Sequence, residues 1–272
     1  MKRFQAGLPE VFISAWRHRG LILSLIRRDV LGRYRGSVIG VLWSFLNPLF
    51  MLAVYTFVFS VVFGARWGGG TQSKVDFALI LFAGLLVFNL FAECVTRAPT
   101  IVLANTNYVK KMVFPLEILP WVLLGSALFH AAASLGVWFL GYVVLRGAPP
   151  LTALALPAVL VPLLLLVLGL AWLLASLGVY VRDISQIVGI LTTTLMFLTP
   201  IFYPAEALPD PYRAFLIANP IAAIVEQTRD VLYWGRLPDP MALMVNLSVS
   251  VGIAWLGFAW FQKTRRGFAD VL

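Results

Sequence analysis

The sequence predicts an all-α polytopic membrane protein with six transmembrane helices, an N-terminal amphipathic interface helix and a re-entrant helical hairpin on the outer face before the last span. Three observations predict this fold class. Of the 272 residues, 61% are hydrophobic and only 12% are charged, which is outside the range of water-soluble domains. The apolar residues are gathered in segments that approach the ~20 residues of a bilayer-spanning helix. Lys and Arg collect at the ends of these segments, which argues for a membrane surface and against nucleic acid as the partner of the +9 net charge.

Residues 1–38 predict cytoplasmic amphipathic helices that lie at the membrane interface. Their apolar residues recur at helical spacing with arginines interspersed, as in helices that bury one face among lipid headgroups. The two apolar faces consist of Leu8, Phe12 and Trp16, and of Ile22, Leu25 and Ile26. We therefore expect one or two surface helices before the first span.

Residues 39–272 predict a six-span transmembrane domain. Its apolar segments are residues 39–63, 77–91, 119–145, 151–181, 187–202 and 241–261. The second and fifth segments, at roughly 15 or 16 residues, are short for a bilayer, whereas the fourth is long enough to tilt. Short segments beside broken helices are typical of a transport site, so the pattern favours a transporter.

The distribution of basic residues predicts the orientation. Six spans put both termini on one side of the membrane, and that side carries 15 of the 21 Lys and Arg residues. Cytoplasmic loops are enriched in Lys and Arg. We therefore expect both termini in the cytoplasm and the loop before the last span on the outer face.

That loop, residues 200–240, is too long for a turn and too apolar for an ordinary exposed loop. Asp210-Pro211 and Asn219-Pro220 each place an N-cap residue before a proline, which is tolerated at the first helical position. Two short helices are therefore expected, over residues 211–218 and 220–234, with a glycine ending the second.

Neither of these helices is long enough to cross a bilayer, and irregular backbone at membrane depth must be buried in protein or line a cavity. We interpret residues 203–240 as a periplasmic re-entrant hairpin that gates a pathway. The residues assigned to this outer gate are Asp210, Pro211, Asn219, Pro220, Glu226 and Asp230.

Two carboxylate pairs in the hairpin, Glu206/Asp210 and Glu226/Asp230, stand at helical spacing. Such pairs hold Mg²⁺ with a diphosphate in membrane prenyltransferases. Both pairs fall on the predicted outer face, away from cytoplasmic diphosphate donors, so we interpret them as a solvated surface and predict no metal site.

Other enzymatic signatures are missing from the sequence. No Lys follows a Gly, so the chain has no Walker A loop and no ATPase of its own. Cys94 is the only cysteine, which excludes an internal disulfide and a cysteine metal cluster. We predict no catalytic residues.

Two sets of residues are candidates for contact with a transported molecule. Arginines at the start of the first span predict a cytoplasmic entrance that binds a lipid diphosphate, although positive-inside topology and contact with anionic lipids explain them equally well. They are Arg27, Arg28, Arg33 and Arg35. Aromatic rings near the hairpin, with a hydroxyl in the fifth segment, suit a glycan channel, because sugar rings stack on aromatic faces. They are Tyr55, Phe59, Thr192, Phe202 and Tyr203.

Over nearly its whole length the chain resembles the ABC-2 type permeases that export bacterial polysaccharides, especially O-antigen, with teichoic acid permeases as relatives. The motifs that carry the resemblance near the first span are Arg28-Asp29-Val30, Arg33-Tyr34-Arg35-Gly36-Ser37, Gly40, Trp43 and Asn47-Pro48. The later motifs are NTNYVKKMVFP at residues 105–115, Leu119-Pro120, Val181-Arg182-Asp183-Ile184, Thr199-Pro200-Ile201, Tyr203-Pro204 and Asn219-Pro220.

The resemblance implies an inner-membrane homodimer with two copies of a separate ABC nucleotide-binding subunit. ATP and Mg would be bound there, and this chain would bind no cofactor. The substrate would be an undecaprenyl-diphosphate-linked glycan, passing between the two permease copies among membrane lipids. The residues 105–115 would couple the ATPase to the spans, through Asn105, Tyr108, Val109, Lys110, Lys111, Phe114 and Pro115.

Alternatives stay open at this stage. A membrane-embedded prenyl- or glycosyltransferase would use acidic pairs. An ABC-2 permease for a drug or small lipid often carries a large external domain after the first span, whereas the connection here, residues 64–76, has 13 residues. That short connection favours the polysaccharide type. O-antigen, capsule and teichoic acid are not separated by the residues alone.

Overall fold

The computed structural model describes residues 7–62, 64, 67, 74–109, 114–209, 211, 216 and 219–272, and all regular secondary structure in these ranges is helical. The α-helices are α1 (Leu8–Arg17), α2 (Arg19–Arg33), α3 (Trp43–Tyr55), α4 (Lys74–Arg97), α5 (Thr106–Val109), α6 (Leu119–Arg146), α7 (Leu156–Tyr180), α8 (Ile184–Leu198), α9 (Pro220–Arg229), α10 (Pro240–Thr264) and α11 (Phe268–Val271). Helices α3 and α9 continue as π-helical turns, Thr56–Val62 and Asp230–Trp234.

In the part of the chain that the structure describes, five helical segments are long and apolar enough to cross a membrane: Gly40–Phe59, Lys74–Thr100, Leu116–Arg146, Leu151–Tyr180 and Pro240–Val271. Helix α8 has 15 residues, so the expected shortness of the fifth segment is confirmed. The expected shortness of the second is wrong, because α4 has 24 residues. The all-α membrane fold is therefore confirmed, while the sixth crossing stays a prediction.

Helix α4 is the centre of the bundle. Its side chains are buried almost all round, and it packs against α6, α7, α8 and α9. A helix that is apolar on every face is either buried in the core of a protein or spans a membrane, and α4 has the burial of the first and the length of the second. The indole of Trp138 on α6 donates a 2.9 Å hydrogen bond to the carbonyl of Leu79 on α4, which satisfies the polar atom of a fully buried ring.

Helices α7 and α10 form the most extensive helix pair, and glycines lie where their backbones meet. A Cβ atom at Gly169 would lie 2.5 Å from the carbonyl oxygen of Ile253, and one at Gly257 would meet the Gly169 carbonyl. Small residues allow this close approach, which is how helices associate where lipid provides no hydrophobic driving force.

Replacing Gly169 by Ala is expected to destabilise the protein by about 1–3 kcal/mol, because the added methyl must push the two helices apart. The matched control is Gly252→Ala on α10, where a Cβ would meet nothing within 4 Å. Thermal unfolding of the purified protein checks the difference. An equal loss of Tm in both variants would contradict the close-packing interpretation.

The predicted N-terminal helices are present as α1 and α2. On α2, Ile22 and Leu25 are buried against Ile118 and Val122. On α1, the side chains of Phe12 and Trp16 are exposed. Position at the membrane surface stays a prediction, and the exposed apolar face of α1 is what such a position requires.

Helix α9 begins and ends as predicted. The Asn219 side chain accepts a 3.0 Å hydrogen bond from the Ile221 N–H, and Gly235 ends the helical region with φ of 67°. Its apolar side chains Ile221, Ile224, Val225 and Leu232 are buried. The other predicted hairpin helix, residues 211–218, lies outside the described residues except at Pro211 and Leu216.

Candidate functional site

A network of charged side chains joins α2, α4 and α6 at the end of the bundle that is predicted to be cytoplasmic. The Glu93 carboxylate on α4 lies 2.7 Å from Nη2 of Arg33, 3.3 Å from Nη1 of Arg97 and 3.0 Å from Nδ1 of His130. Ionisable groups within membrane helices are costly unless they are paired. Glu93 therefore serves as a common partner for three basic groups from three helices.

The same network holds α2 through Asp29. Nη2 of Arg97 lies 2.9 Å from both carboxylate oxygens of Asp29. Burial raises the pKa of Asp29, but the hydrogen bond and positive charge of Arg97 outweigh it, so the pKa is lowered below its ordinary value. Asp29 is therefore a charged partner of Arg97, so that α2, which packs against α6, is tied to α4 by charge.

The four predicted entrance arginines are not gathered into one site. Arg33 is paired with Glu93. Arg28 donates a 2.5 Å hydrogen bond to the Tyr108 hydroxyl. Arg27 and Arg35 are exposed. Binding of a lipid diphosphate stays a prediction, and it depends on Arg27 and Arg35, because the other two already contact neighbouring side chains.

The predicted coupling segment contacts α2 through the Tyr108 hydroxyl, which accepts the hydrogen bond from Arg28. The ring of Tyr108 stacks on Phe114 with centroids 4.2 Å apart and planes 6° apart. The Asn105 amide donates a 2.8 Å hydrogen bond to the Ile101 carbonyl. Val109 ends α5 and Pro115 precedes the helical turn before α6, while Lys110 and Lys111 lie outside the described residues.

A further ion pair, which no motif in the sequence indicated, lies directly after this segment. The Glu117 carboxylate lies 2.6 Å from Nη1 of Arg265 beyond the end of α10, and both side chains are mostly buried. Glu117 also accepts a 3.3 Å hydrogen bond from the Ser14 hydroxyl of α1, and its backbone carbonyl accepts one from the Trp172 indole of α7. The turn directly after the segment is thus linked to α1, to α7 and to the end of α10.

The predicted channel aromatics come together. The ring of Phe202 stacks on Phe59 at 4.5 Å and lies 5.4 Å from Tyr55, while the Tyr203 hydroxyl donates to the Phe197 carbonyl. Phe202 is buried, so its neighbours in this chain cover its ring. The Thr192 hydroxyl donates to the Val188 carbonyl within α8. Contact with a glycan stays a prediction.

At the predicted outer end, Arg229 of α9 is completely buried. Its guanidinium donates hydrogen bonds to three backbone carbonyls: Ile80 at 3.2 Å, Pro200 at 2.6 Å and Ile201 at 2.8 Å. The guanidinium carbon also lies 4.3 Å from the centre of the Trp67 ring. The planar fork of an arginine suits several acceptors at once. Arg229 therefore joins α9 to α4 and to the segment after α8.

Gly84 on α4 leaves room for this guanidinium, since a Cβ there would lie 2.7 Å from Nη2 of Arg229. Two of the predicted gate carboxylates also face arginines: Glu226 lies 2.8 Å from Nη1 of Arg229, and Asp230 lies 3.9 Å from Nη1 of Arg236. Both carboxylates of the Glu226/Asp230 pair therefore face arginines of the same chain.

The remaining gate residues flank α9. The Asn219 amide donates a 3.0 Å hydrogen bond to the Thr199 hydroxyl, and Pro220 is the first residue of α9. Pro211 is exposed, and Asp210 lies outside the described residues. The structure thus fixes the α9 half of the predicted gate to the end of α8.

Within the described residues, five long apolar helices, one of them the buried central helix α4, define a polytopic helical membrane protein. Residues 20–233 match the family model described as ABC-2 type transporter. The chain belongs to this ABC-2 membrane family.

Three relatives in this family are similar over most of their length. An O-antigen export system permease protein of Myxococcus xanthus is 31% identical over 257 residues, 94% of this chain and 96% of the relative. A protein of the same name from Klebsiella pneumoniae is 24% identical, covering 93% and 95%. A polysialic acid transport protein of Escherichia coli is 22% identical, covering 88% and 91%.

Proposed function

We propose that this chain is the transmembrane permease subunit of an ABC exporter that moves an undecaprenyl-diphosphate-linked polysaccharide across the inner membrane. The polysaccharide that we propose is O-antigen. The observation that carries the proposal is the similarity to the Myxococcus xanthus O-antigen permease over 94% of the chain. The sequence has no Walker A loop. A separate ATPase subunit therefore drives transport in this proposal, and both termini face it from the cytoplasm.

The working unit is a homodimer with two ATPase subunits, and the pathway lies between the permease copies. Low burial within one chain supports this arrangement. Only 6% of an 18-residue apolar stretch of Gly40–Phe59 is buried, and α8 buries just Val188 and Thr192. Both helices leave long faces for lipid or a second copy. The Tyr55 and Phe202 rings lie beside these faces, at the border of the proposed pathway.

In this proposal, coupling uses the contacts at the predicted cytoplasmic end of the bundle, and gating uses those at the predicted outer end. ATP-driven movement at residues 105–115 reaches α2 through the contact between Arg28 and Tyr108, and the helices α2, α4 and α6 then respond together through Glu93. At the other end the α9 hairpin forms the outer gate, held by Arg229.

Deleting the gene in its host is expected to remove the surface polysaccharide and to cause lipid-linked glycan to accumulate on the cytoplasmic side of the inner membrane. Immunoblots of surface polysaccharide and chromatography of extracted lipid-linked glycan measure the two effects. The wild-type gene should restore export, and inactivating the partner ATPase should copy the deletion. Unchanged surface polysaccharide in the deletion strain would refute the proposal.

A cysteine placed at Val109 is expected to crosslink to the partner ATPase, because the proposal puts that residue at the coupling contact. The native Cys94 is buried and gives little background. The control is a cysteine at the exposed Leu145, at the predicted outer end of α6, which should form no crosslink. Failure at Val109 in every nucleotide state would contradict the coupling assignment.

A further inference from the structure

A cavity of about 280 Å³ with several polar side chains in its wall opens between the end of α2 and the helices α3, α4 and α6. Its wall includes Asn47 of α3, Asn89 and Glu93 of α4, and His130 of α6. All four belong to segments that are apolar enough to span the membrane. Polar groups at such positions are expensive unless they face water or a ligand, so they indicate a functional site.

The asparagine on α4 stands out against its helix. Among residues 79–91 of α4, Asn89 alone is exposed and all the others are buried. Asn47 is also exposed. Nε2 of His130 is buried and has no hydrogen-bond partner within the described part of the chain, while its Nδ1 contacts Glu93. The wall therefore offers amide and imidazole groups that the protein itself does not fully use.

The charges in the wall favour a neutral ligand. Arg33 and Glu93 both line the cavity, and they pair with each other at 2.7 Å. Arg97 lies between Glu93 and Asp29. A diphosphate here would meet the Glu93 carboxylate without a surplus of positive charge. Sugar hydroxyls, which donate and accept, match amide, carboxylate and imidazole groups, and the Trp43 ring in the wall suits a sugar face.

We propose that this cavity binds one neutral sugar unit of the lipid-linked glycan, namely the unit attached to the diphosphate. This inference rests on the proposed function and names the part of the substrate that is recognised. The volume lies near the lower end of small-molecule sites, ~300–1,000 Å³, which fits one ring and not a chain. Arg35 is exposed and follows Arg33, a residue of the cavity wall, by two positions. In this proposal Arg35 binds the diphosphate.

The test uses the purified permease with its partner ATPase and two probes, undecaprenyl diphosphate and the same lipid carrying one N-acetylglucosamine. The wild type is expected to bind the sugar-bearing lipid about tenfold more tightly. Asn89→Leu and Asn47→Leu, near-isosteric changes to apolar side chains, should abolish that preference and alter affinity for the bare lipid by less than about twofold. Ser248→Leu, at an exposed α10 position outside the cavity wall, should leave the preference intact.

Equal binding of both lipids by the wild type, or an unchanged preference in both asparagine variants, would overturn the inference. So would a parallel loss of affinity for both lipids, which would mean that the asparagines act on the fold or on the lipid. None of these binding results bears on whether the deletion strain loses its surface polysaccharide, so the proposed function would stand. Conversely, if the deletion strain keeps its surface polysaccharide, the proposed function fails, whatever the lipid preference.

Discussion

The Arg229→Met variant is expected to lose about 3–5 kcal/mol of stability and nearly all export. Methionine fills a similar volume but donates no hydrogen bond. The carbonyls of Pro200, Ile201 and Ile80, which accept from Arg229, would stay buried without that partner. Each unsatisfied acceptor costs about 1–3 kcal/mol, and removing one member of a buried charged network costs about 3–5 kcal/mol.

The chain supplies a matched control. Arg236 lies beyond the same helical region, is largely exposed, and faces Asp230 at 3.9 Å. Exposed ion pairs contribute about 0–1 kcal/mol, so Arg236→Met should be nearly silent. Arg229→Lys keeps the charge but cannot reach the same set of acceptors with one planar group, and an intermediate loss is expected.

Thermal unfolding in detergent and protease cleavage near α9 measure the structural effect, and surface polysaccharide measures export. Arg229→Met should lower Tm and open α9 to protease, whereas Arg236→Met should do neither. If Arg229→Met keeps the wild-type Tm and export, Arg229 is not what holds α9 to α4.

The sequence predicted the elements whose signals are local. The Asn219-Pro220 start of α9 and its end at Gly235 depend on capping and backbone geometry within a few residues. The apolar segments likewise follow from continuous composition. The second apolar segment was predicted to begin at residue 77 because Asp76 is charged. Asp76 in fact lies inside α4 and forms an ion pair with Arg146 at the end of α6.

The site was predicted only in part, because its contacts connect residues that are distant in the chain. Arg33 and Glu93 are 60 positions apart, and Arg229 and Ile80 are 149 apart. Residue types and spacing do not encode such pairings. A usable signal did exist: Glu93 lies only two residues beyond the apolar segment 77–91, and an acid that enters a membrane-spanning helix requires a partner. The identity of that partner required the fold.

Glu117→Gln is expected to separate ATP hydrolysis from export. The change removes the charge opposite Arg265 and keeps a side chain that accepts from Ser14. Because the pair is mostly buried, removing one partner should cost about 3–5 kcal/mol. The link between α10 and the turn directly after the proposed coupling segment would weaken, so we expect ATP turnover in the assembled complex to persist while export falls. Glu10→Gln, which affects the ion pair with Arg17 inside α1, is the matched control and should change neither.

A double-mutant cycle separates this pair from a general loss of stability. If Glu117 and Arg265 act on each other, the combined Glu117→Gln and Arg265→Gln variant should lose less than the sum of the single losses, by about 0.5–3 kcal/mol. Unfolding free energy and export per ATP hydrolysed should both show this non-additivity, because both depend on the same contact between the end of α10 and the start of α6. Additive losses in both measurements would mean that each residue acts alone, and the coupling segment would then have to reach α10 by another contact.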